Sequence, residues 1–171
     1  MSIILNISFL LLPLINNPNQ MNEIKVGDAL PEFTLLDQNN ESVNIKDKIG
    51  KPLVIYFYPK DDTPGCTREA CKFRDDFEDF ADLGAEIYGI SADSPASHKR
   101  FAEKYRLSFT LLSDRNRAVE KLFGLKRNLF GLLPERVTFV VDRDGIVRHV
   151  FKSQFKAEKH VQEALNTLRN L

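Results

Sequence analysis

The chain has no tryptophan in its 171 residues, only two cysteines, two methionines and three histidines. Two cysteines are too few for a disulfide-built scaffold. No second Cys pair and no His pair at ligand spacing accompanies them, so the sequence gives no zinc site. Neither sign of charge is in surplus: Lys plus Arg and Asp plus Glu each number 24. No global field therefore points to nucleic acid or to an anionic membrane, and neither is expected as a partner. Internal repeats, linkers and low-complexity tracts are missing too.

A membrane span needs roughly 20 apolar residues. Residues 3–15 are mostly apolar, but they fall short of that and contain Asn6 and Ser8. A secretory signal needs a cationic start and a small-residue cleavage site. Here the first charged residue is Glu23, and Asn16-Asn17-Pro18-Asn19-Gln20 resembles no such site. Residues 1–20 are read as an appendage: a mis-assigned start, a disordered stretch, or a weak export or anchor segment. Residues 21–171 form one domain, expected to be cytoplasmic and without stable membrane association.

What is present is ordinary for a soluble globular chain, with 43% apolar and 28% charged residues. The length suits one domain with a real core. Residues 33–36 and 42–45 flank the polar stretch Asp37-Gln38-Asn39-Asn40 and predict an N-terminal hairpin. Residues 53–58 are a continuous apolar run, which reads as a buried central strand. A helix carrying Phe73, Phe77 and Phe80 on one face follows and stops at Leu83-Gly84. Residues 85–91 are the next strand, and Ser94-Pro95 opens a helix with Phe101, Ala102 and Tyr105 inward. A short strand at 109–112, a helix at 116–123 and a loop containing Lys126, Arg127, Phe130 and Pro134 come next. Strands at 136–141 and 146–151, joined by Asp142-Arg143-Asp144-Gly145, form a second hairpin before an amphipathic helix at 157–168. This order predicts an α/β, thioredoxin-like fold: a central mixed sheet with helices on both faces and an N-terminal β-hairpin. His98, His149 and His160 sit in polar stretches and are read as surface residues rather than bases.

The chain is organised around Ile55-Tyr56-Phe57-Tyr58-Pro59-Lys60-Asp61-Asp62-Thr63-Pro64-Gly65-Cys66-Thr67-Arg68-Glu69-Ala70-Cys71. Thr63 is a good N-cap and Pro64 suits the first helical position. The Thr63 side chain and the Cys66 N–H are natural partners on that count. The Cys66 sulfur would lie at the positive end of the helix dipole, which stabilises a thiolate. Five helical residues separate Cys66 from Cys71, about 7.5 Å of rise, and turn the side chains about 140° apart. A disulfide needs Cα atoms within roughly 7 Å. Either the two sulfurs never bond, or the first turns of the helix unwind.

This stretch resembles the active-site segment of peroxiredoxins, Pro-x-x-x-Thr/Ser-x-x-Cys, here Pro59, Thr63 and Cys66. With Tyr-Pro-Lys-Asp-Asp-Thr-Pro-Gly-Cys-Thr and a Cys five residues on, it is similar to the peroxiredoxin Q (bacterioferritin comigratory protein) branch. The likeness runs from about residue 26 to the C-terminus. It implies a thiol-dependent peroxidase acting on hydrogen peroxide and organic hydroperoxides. Cys66 would be the peroxidatic nucleophile and Cys71 the resolving cysteine. Arg136, in Arg-Val-Thr-Phe-Val-Val-Asp, would match the family's Arg-x-Thr/Ser-Phe strand and serve with Thr63 as donor to the stretching O–O bond, with Pro59 closing the pocket. Thioredoxin or a similar dithiol would return both thiols; no metal, haem or flavin is implied, and a monomer is. Glu69 is read either as an orienting group or as a first-turn acid favoured by the dipole. Three rivals stand beside this reading. A glutathione-peroxidase-like enzyme would need the Trp this chain lacks, and a disulfide reductase would need Cys-x-x-Cys. A peroxide sensor or redox-switched holdase, exposing Phe73, Phe77 and Phe80 when oxidised, would turn over slowly.

Overall fold

The computed structural model describes residues 23–128 and 133–171. The appendage expected at 1–20 and the loop residue Phe130 lie outside them. The hairpin forms as β1 (Thr34–Asp37) and β2 (Ser42–Asn44), with Leu35 opposite Val43. Its turn is held by Asp37, whose Oδ1 accepts from the Asn39 and Glu41 N–H groups at 2.8 and 2.9 Å.

The apolar run becomes β3 (Leu53–Phe57), every residue of it buried. Then come α1 (Pro64–Asp75), α2 (Phe77–Asp82), β4 (Glu86–Ser91), α3 (Pro95–Tyr105), β5 (Thr110–Ser113) and α4 (Ala118–Leu122). Two two-residue strands, β6 (Arg127–Asn128) and β7 (Leu133–Pro134), pair antiparallel within what the sequence presents as a loop. β8 (Val137–Val141), β9 (Val147–Lys152) and α5 (Ala157–Leu168) complete the chain.

The main sheet has the order β2-β1-β5-β4-β3-β8-β9. β3 lies parallel to β4 and antiparallel to β8, so the sheet is mixed and β3 is flanked on both edges. Because side chains alternate along a strand, β3 feeds two cores. Val54 and Tyr56 pack under the helices with Phe73, Phe80, Phe101, Val161 and Leu165. Leu53, Ile55 and Phe57 point to the other face, against Phe33, Val119, Phe123 and Phe139. Helices therefore cover both faces, as the thioredoxin-like reading expects.

Two expectations need correction. The helix with Phe73, Phe77 and Phe80 is two helices, interrupted at Asp76 (φ −97°, ψ 13°). There Asp76 accepts from Lys72 Nζ at 2.7 Å, and the turn sends Phe80 back to pack against Phe73. His98 and His160 are not surface residues: both are fully buried, while His149 is half-buried.

Candidate active site

The site is built where β3 ends. The segment between Tyr58 and Thr63 turns sharply, with Asp62 in the left-handed region (φ 59°), which aspartate tolerates better than most residues. Two aspartates dock this turn on α3. Outside, Asp62 accepts from Lys104 Nζ at 2.7 Å and from the Tyr105 hydroxyl at 2.7 Å. Inside, the buried Asp61 carboxylate accepts from the Tyr58 hydroxyl at 2.7 Å, the Ser97 hydroxyl at 2.8 Å and His98 Nδ1 at 3.0 Å. Burial works to raise the Asp61 carboxyl, but the bonds from His98, Tyr58 and Ser97 and the charge of His98 outweigh it and hold it below the usual value. His98 Nε2 donates to the Leu112 carbonyl at 3.1 Å, tying the turn to β5 as well.

Thr63 then caps α1, and Pro64 is its first residue, as the sequence predicts. The cap bond itself differs. The Thr63 hydroxyl makes no bond to the helix; it donates to the Lys60 carbonyl at 3.0 Å, because the tight turn brings that carbonyl within reach. Its lone pairs are left to accept. Cys66 occupies the third helical position, among the N–H groups that a helix does not use internally. Its side chain is buried, with the residue 2% exposed.

From the far side of the sheet sequence, Arg136 reaches this sulfur: Nη2 donates to Cys66 Sγ at 3.3 Å. Two further bonds aim the guanidinium, and a third holds the Arg136 backbone. Nη1 donates to Glu69 Oε2, Nε donates to the Gln154 carbonyl at 3.3 Å, and the Arg136 N–H donates to Gln154 Oε1 at 3.3 Å. Gly65 leaves room for it, since a Cβ there would sit 3.1 Å from Nη2. Burial opposes the Arg136 charge, yet Glu69 and Cys66 more than restore it and its proton is held tighter than usual.

Glu69 is fully buried one turn below Cys66. Burial pushes its carboxyl up to about 8, although Arg136 works the other way. Oε2 has its guanidinium partner, but Oε1 has no hydrogen-bond partner and lies 3.7 Å from His160 Nδ1. His160 Nε2 donates to the Ser153 carbonyl at 2.9 Å, and Nδ1 accepts from the Thr138 hydroxyl at 2.8 Å. Burial depresses the imidazole to about 4, against the Ser153 bond and with help from Arg136, so His160 is neutral. Tyr56, also without a partner for its hydroxyl, is pushed far above its ordinary value by burial and by Glu69.

The structure thus brings Cys66, Arg136 and Glu69 together, with Thr63 at the mouth of the same helix. Pro59 is half-buried and lines a narrow cleft with Tyr58, Ser91, Pro134 and Glu135. Cys71 is half-buried on the same unbroken helix as Cys66, and both thiols are free. Missed from sequence were the roles of His98, His160, Gln154 and Gly65. Helical spacing carried a signal for His98, three and four residues before the inward Phe101 and Ala102. His160 likewise shares a face with Ala164 and Ala157. Among the described residues no group of three His, Cys, Asp or Glu could hold a metal ion, and no helix is long and apolar enough to cross a membrane.

Comparison with known proteins agrees with this geometry. The model of the AhpC/TSA family matches residues 26–150. The chain is 50% identical over 149 residues to a chloroplastic peroxiredoxin Q of Populus jackii, covering 87% of this chain and 70% of that protein. It is 51% identical over 147 residues to a chloroplastic peroxiredoxin Q of Arabidopsis thaliana, covering 86% and 68%. Among solved structures it is similar to the peroxidoxin BcpB of Mycobacterium tuberculosis, with 41% identity, TM-score 0.81, and coverage of 87% of this chain and 99% of that one. A bacterioferritin comigratory protein of Xanthomonas campestris, described for alkyl peroxide reduction, gives 34% identity, TM-score 0.76, and coverage of 84% and 98%. The relatives' names correct one expectation: a cytoplasmic location, expected because residues 1–20 match neither a membrane span nor a secretory signal, is overturned by half-identical proteins named as chloroplastic.

Proposed function

The chain belongs to the AhpC/TSA family, a peroxiredoxin and hence a thiol-dependent peroxidase, and from that premise we propose the route by which its own residues work. Cys66, as thiolate, attacks the terminal oxygen of hydrogen peroxide or an organic hydroperoxide. An S–O bond forms as the O–O bond breaks, giving Cys66 sulfenic acid and water or an alcohol. The observation that carries this reading is the Arg136 guanidinium 3.3 Å from the Cys66 sulfur. A fixed positive donor there favours the anion and meets the charge that develops on the leaving oxygen. Thr63, its own proton committed to Lys60, accepts from the hydroperoxide O–H and aligns it. Pro59 holds the turn that presents Thr63.

Cys71 then condenses with the sulfenic acid to give a disulfide and water. In the intact α1 the two sulfurs are out of bonding range, so the first turns unwind for this step. A thioredoxin-type dithiol reduces the disulfide, and the protein works as a monomer. The test is intact mass after one equivalent of peroxide. Cys71→Ser should gain one oxygen at Cys66 and stall, with no thioredoxin-driven turnover, while Cys66→Ser should consume no peroxide. Normal turnover by Cys71→Ser would refute the resolving role, and normal consumption by Cys66→Ser the nucleophile.

A further inference from the structure

In the resting site one buried guanidinium stands between two acids. Arg136 donates to Cys66 Sγ through Nη2 and to Glu69 through Nη1. If both acids were ionised, two buried anions would share one cation. Burying a charge without its own partner is costly, and the group that can take a proton does so. The groups that face the Glu69 carboxyl are Cys66 on its own helix, Arg136 and Thr138 at β8, His160 on α5 and Tyr56 on β3. Of these only Arg136 is cationic, since His160 is neutral.

The geometry says which acid holds the proton. Glu69 Oε1 has no hydrogen-bond partner at all. Across 3.7 Å it meets His160 Nδ1, which has no proton to offer: the ring's one proton is on Nε2, bonded to Ser153, and Nδ1 already accepts from the Thr138 hydroxyl. A buried anionic oxygen with no donor is costly; a neutral carboxyl there costs less. Burial lifts the same carboxyl to about 8, in the same direction.

We propose, resting on the peroxidase reading above, that Glu69 is a positioning residue which holds a proton while Cys66 is a thiolate and releases it when the sulfur becomes a neutral sulfenic acid. Arg136 then faces one anion at every stage: the thiolate before the reaction, the Glu69 carboxylate after it. The atoms balance. Cys66–S⁻ and ROOH give Cys66–SOH and RO⁻; sulfur loses two electrons and the peroxide gains them. RO⁻ takes up a proton to become ROH, and Glu69 loses one, so the protein exchanges no net proton with solvent in this step. Without the Glu69 proton the same step draws one from solvent. The inventory does not depend on the route the proton travels.

The test uses the full chain with Cys71→Ser, which stops at the sulfenic acid. One equivalent of hydrogen peroxide is added at pH 7 in weak buffer with an indicator dye, and ultraviolet absorbance reports the thiolate beforehand. The expected result is a resting thiolate and a net uptake of only a few tenths of a proton or less per sulfenic acid, because a carboxyl at about 8 is roughly nine-tenths protonated at that pH. Adding Glu69→Gln should raise the uptake to about one, since the amide has no proton to release. A resting thiol would also give no uptake, so absence of thiolate absorbance overturns the proposal. So does an uptake of about one proton when Glu69 is present. Infrared difference spectra on peroxide addition give a check that needs no Glu69 variant: a carboxylic C=O band should be lost and a carboxylate band gained. No such change overturns the proposal. If no peroxide is consumed at all, the peroxidase reading itself fails, which is a different outcome.

Discussion

Replacing Glu69 by Gln should stabilise the protein at neutral pH, although Glu69 is a buried partner of the Arg136 guanidinium. Glu69 binds its proton near the ordinary 4.5 when unfolded and at about 8 when folded. A group with a raised folded value favours the folded state fully below 4.5 and loses that contribution as pH rises toward 8. At about 1.4 kcal/mol per pH unit, the loss by pH 7 is on the order of 3 kcal/mol. Gln carries no such loss. Its amide oxygen can accept from Arg136 as Oε2 now does. Urea unfolding across pH 4 to 9 measures the effect, with constant slope and a shifting midpoint. The two proteins should be equal near pH 4, and Glu69→Gln should lead by about 2–3 kcal/mol at pH 7 once the weaker amide bond is discounted. The opposing case is a Glu69 ionised at all these pH values, for which breaking the pair would destabilise by about 3–5 kcal/mol. The sign at pH 7 decides: a less stable Glu69→Gln protein, or a gain that does not change with pH, would refute the reasoning.

His160 should act in the opposite sense. Its folded value of about 4 lies below the ordinary 6.5, so stability falls as pH drops between them, by on the order of 3 kcal/mol. His160→Gln should flatten that limb in the same urea series. Asp61→Asn should lower stability by about 3–5 kcal/mol at pH 7, because it leaves the buried His98 without its carboxylate; equal urea midpoints would mean the pair carries no weight. Gly89→Ala should destabilise by at least about 1–3 kcal/mol, since the new Cβ would lie 2.6 Å from the Tyr56 hydroxyl oxygen and 2.8 Å from Leu111 Cδ2; a neutral effect in thermal melts would show that Tyr56 moves freely.

Local chemistry made much of this fold legible. The unbroken apolar run gave away β3, and the polar turns at 37–40 and 142–145 placed both hairpins. The start of α1 follows from Thr63-Pro64 alone. The break at Asp76 did not, because helical spacing of Phe73, Phe77 and Phe80 is compatible with one helix or two. Within the site, Cys66 was readable from its position in a helix's first turn. Arg136 was not: seventy residues separate it from Cys66, and only likeness to a family strand pointed to it. The histidines misled because their immediate neighbours are polar. Burial follows the helix face, and His98 shares its face with Phe101 and Ala102. Whether Glu69 was a dipole-favoured surface acid or an orienting group depended on which side of α1 the sheet lay, which is a tertiary fact.

That placement bears on how α1 can open for the proposed disulfide. The helix is divided in what it buries. Its first two turns bury Cys66, Glu69 and Ala70, while Phe73 beyond them is wholly inside, its ring 4.7 Å from that of Tyr56 and 5.6 Å from that of Phe80. Pulling out a Phe side chain loses about 1.5–3 kcal/mol of apolar burial, whereas a methyl and a thiol together lose about 1–2. Unwinding therefore stops naturally between Cys71 and Phe73, which releases both sulfurs and keeps the core closed. Once Cys66 is a sulfenic acid the Glu69 carboxylate is paired with Arg136, and that pair must part as the turns open, so Glu69→Gln should speed disulfide formation at that stage. Stopped-flow acid quench with mass readout measures it, and a resolution rate indifferent to Glu69 at every pH would separate the buried acid from the opening.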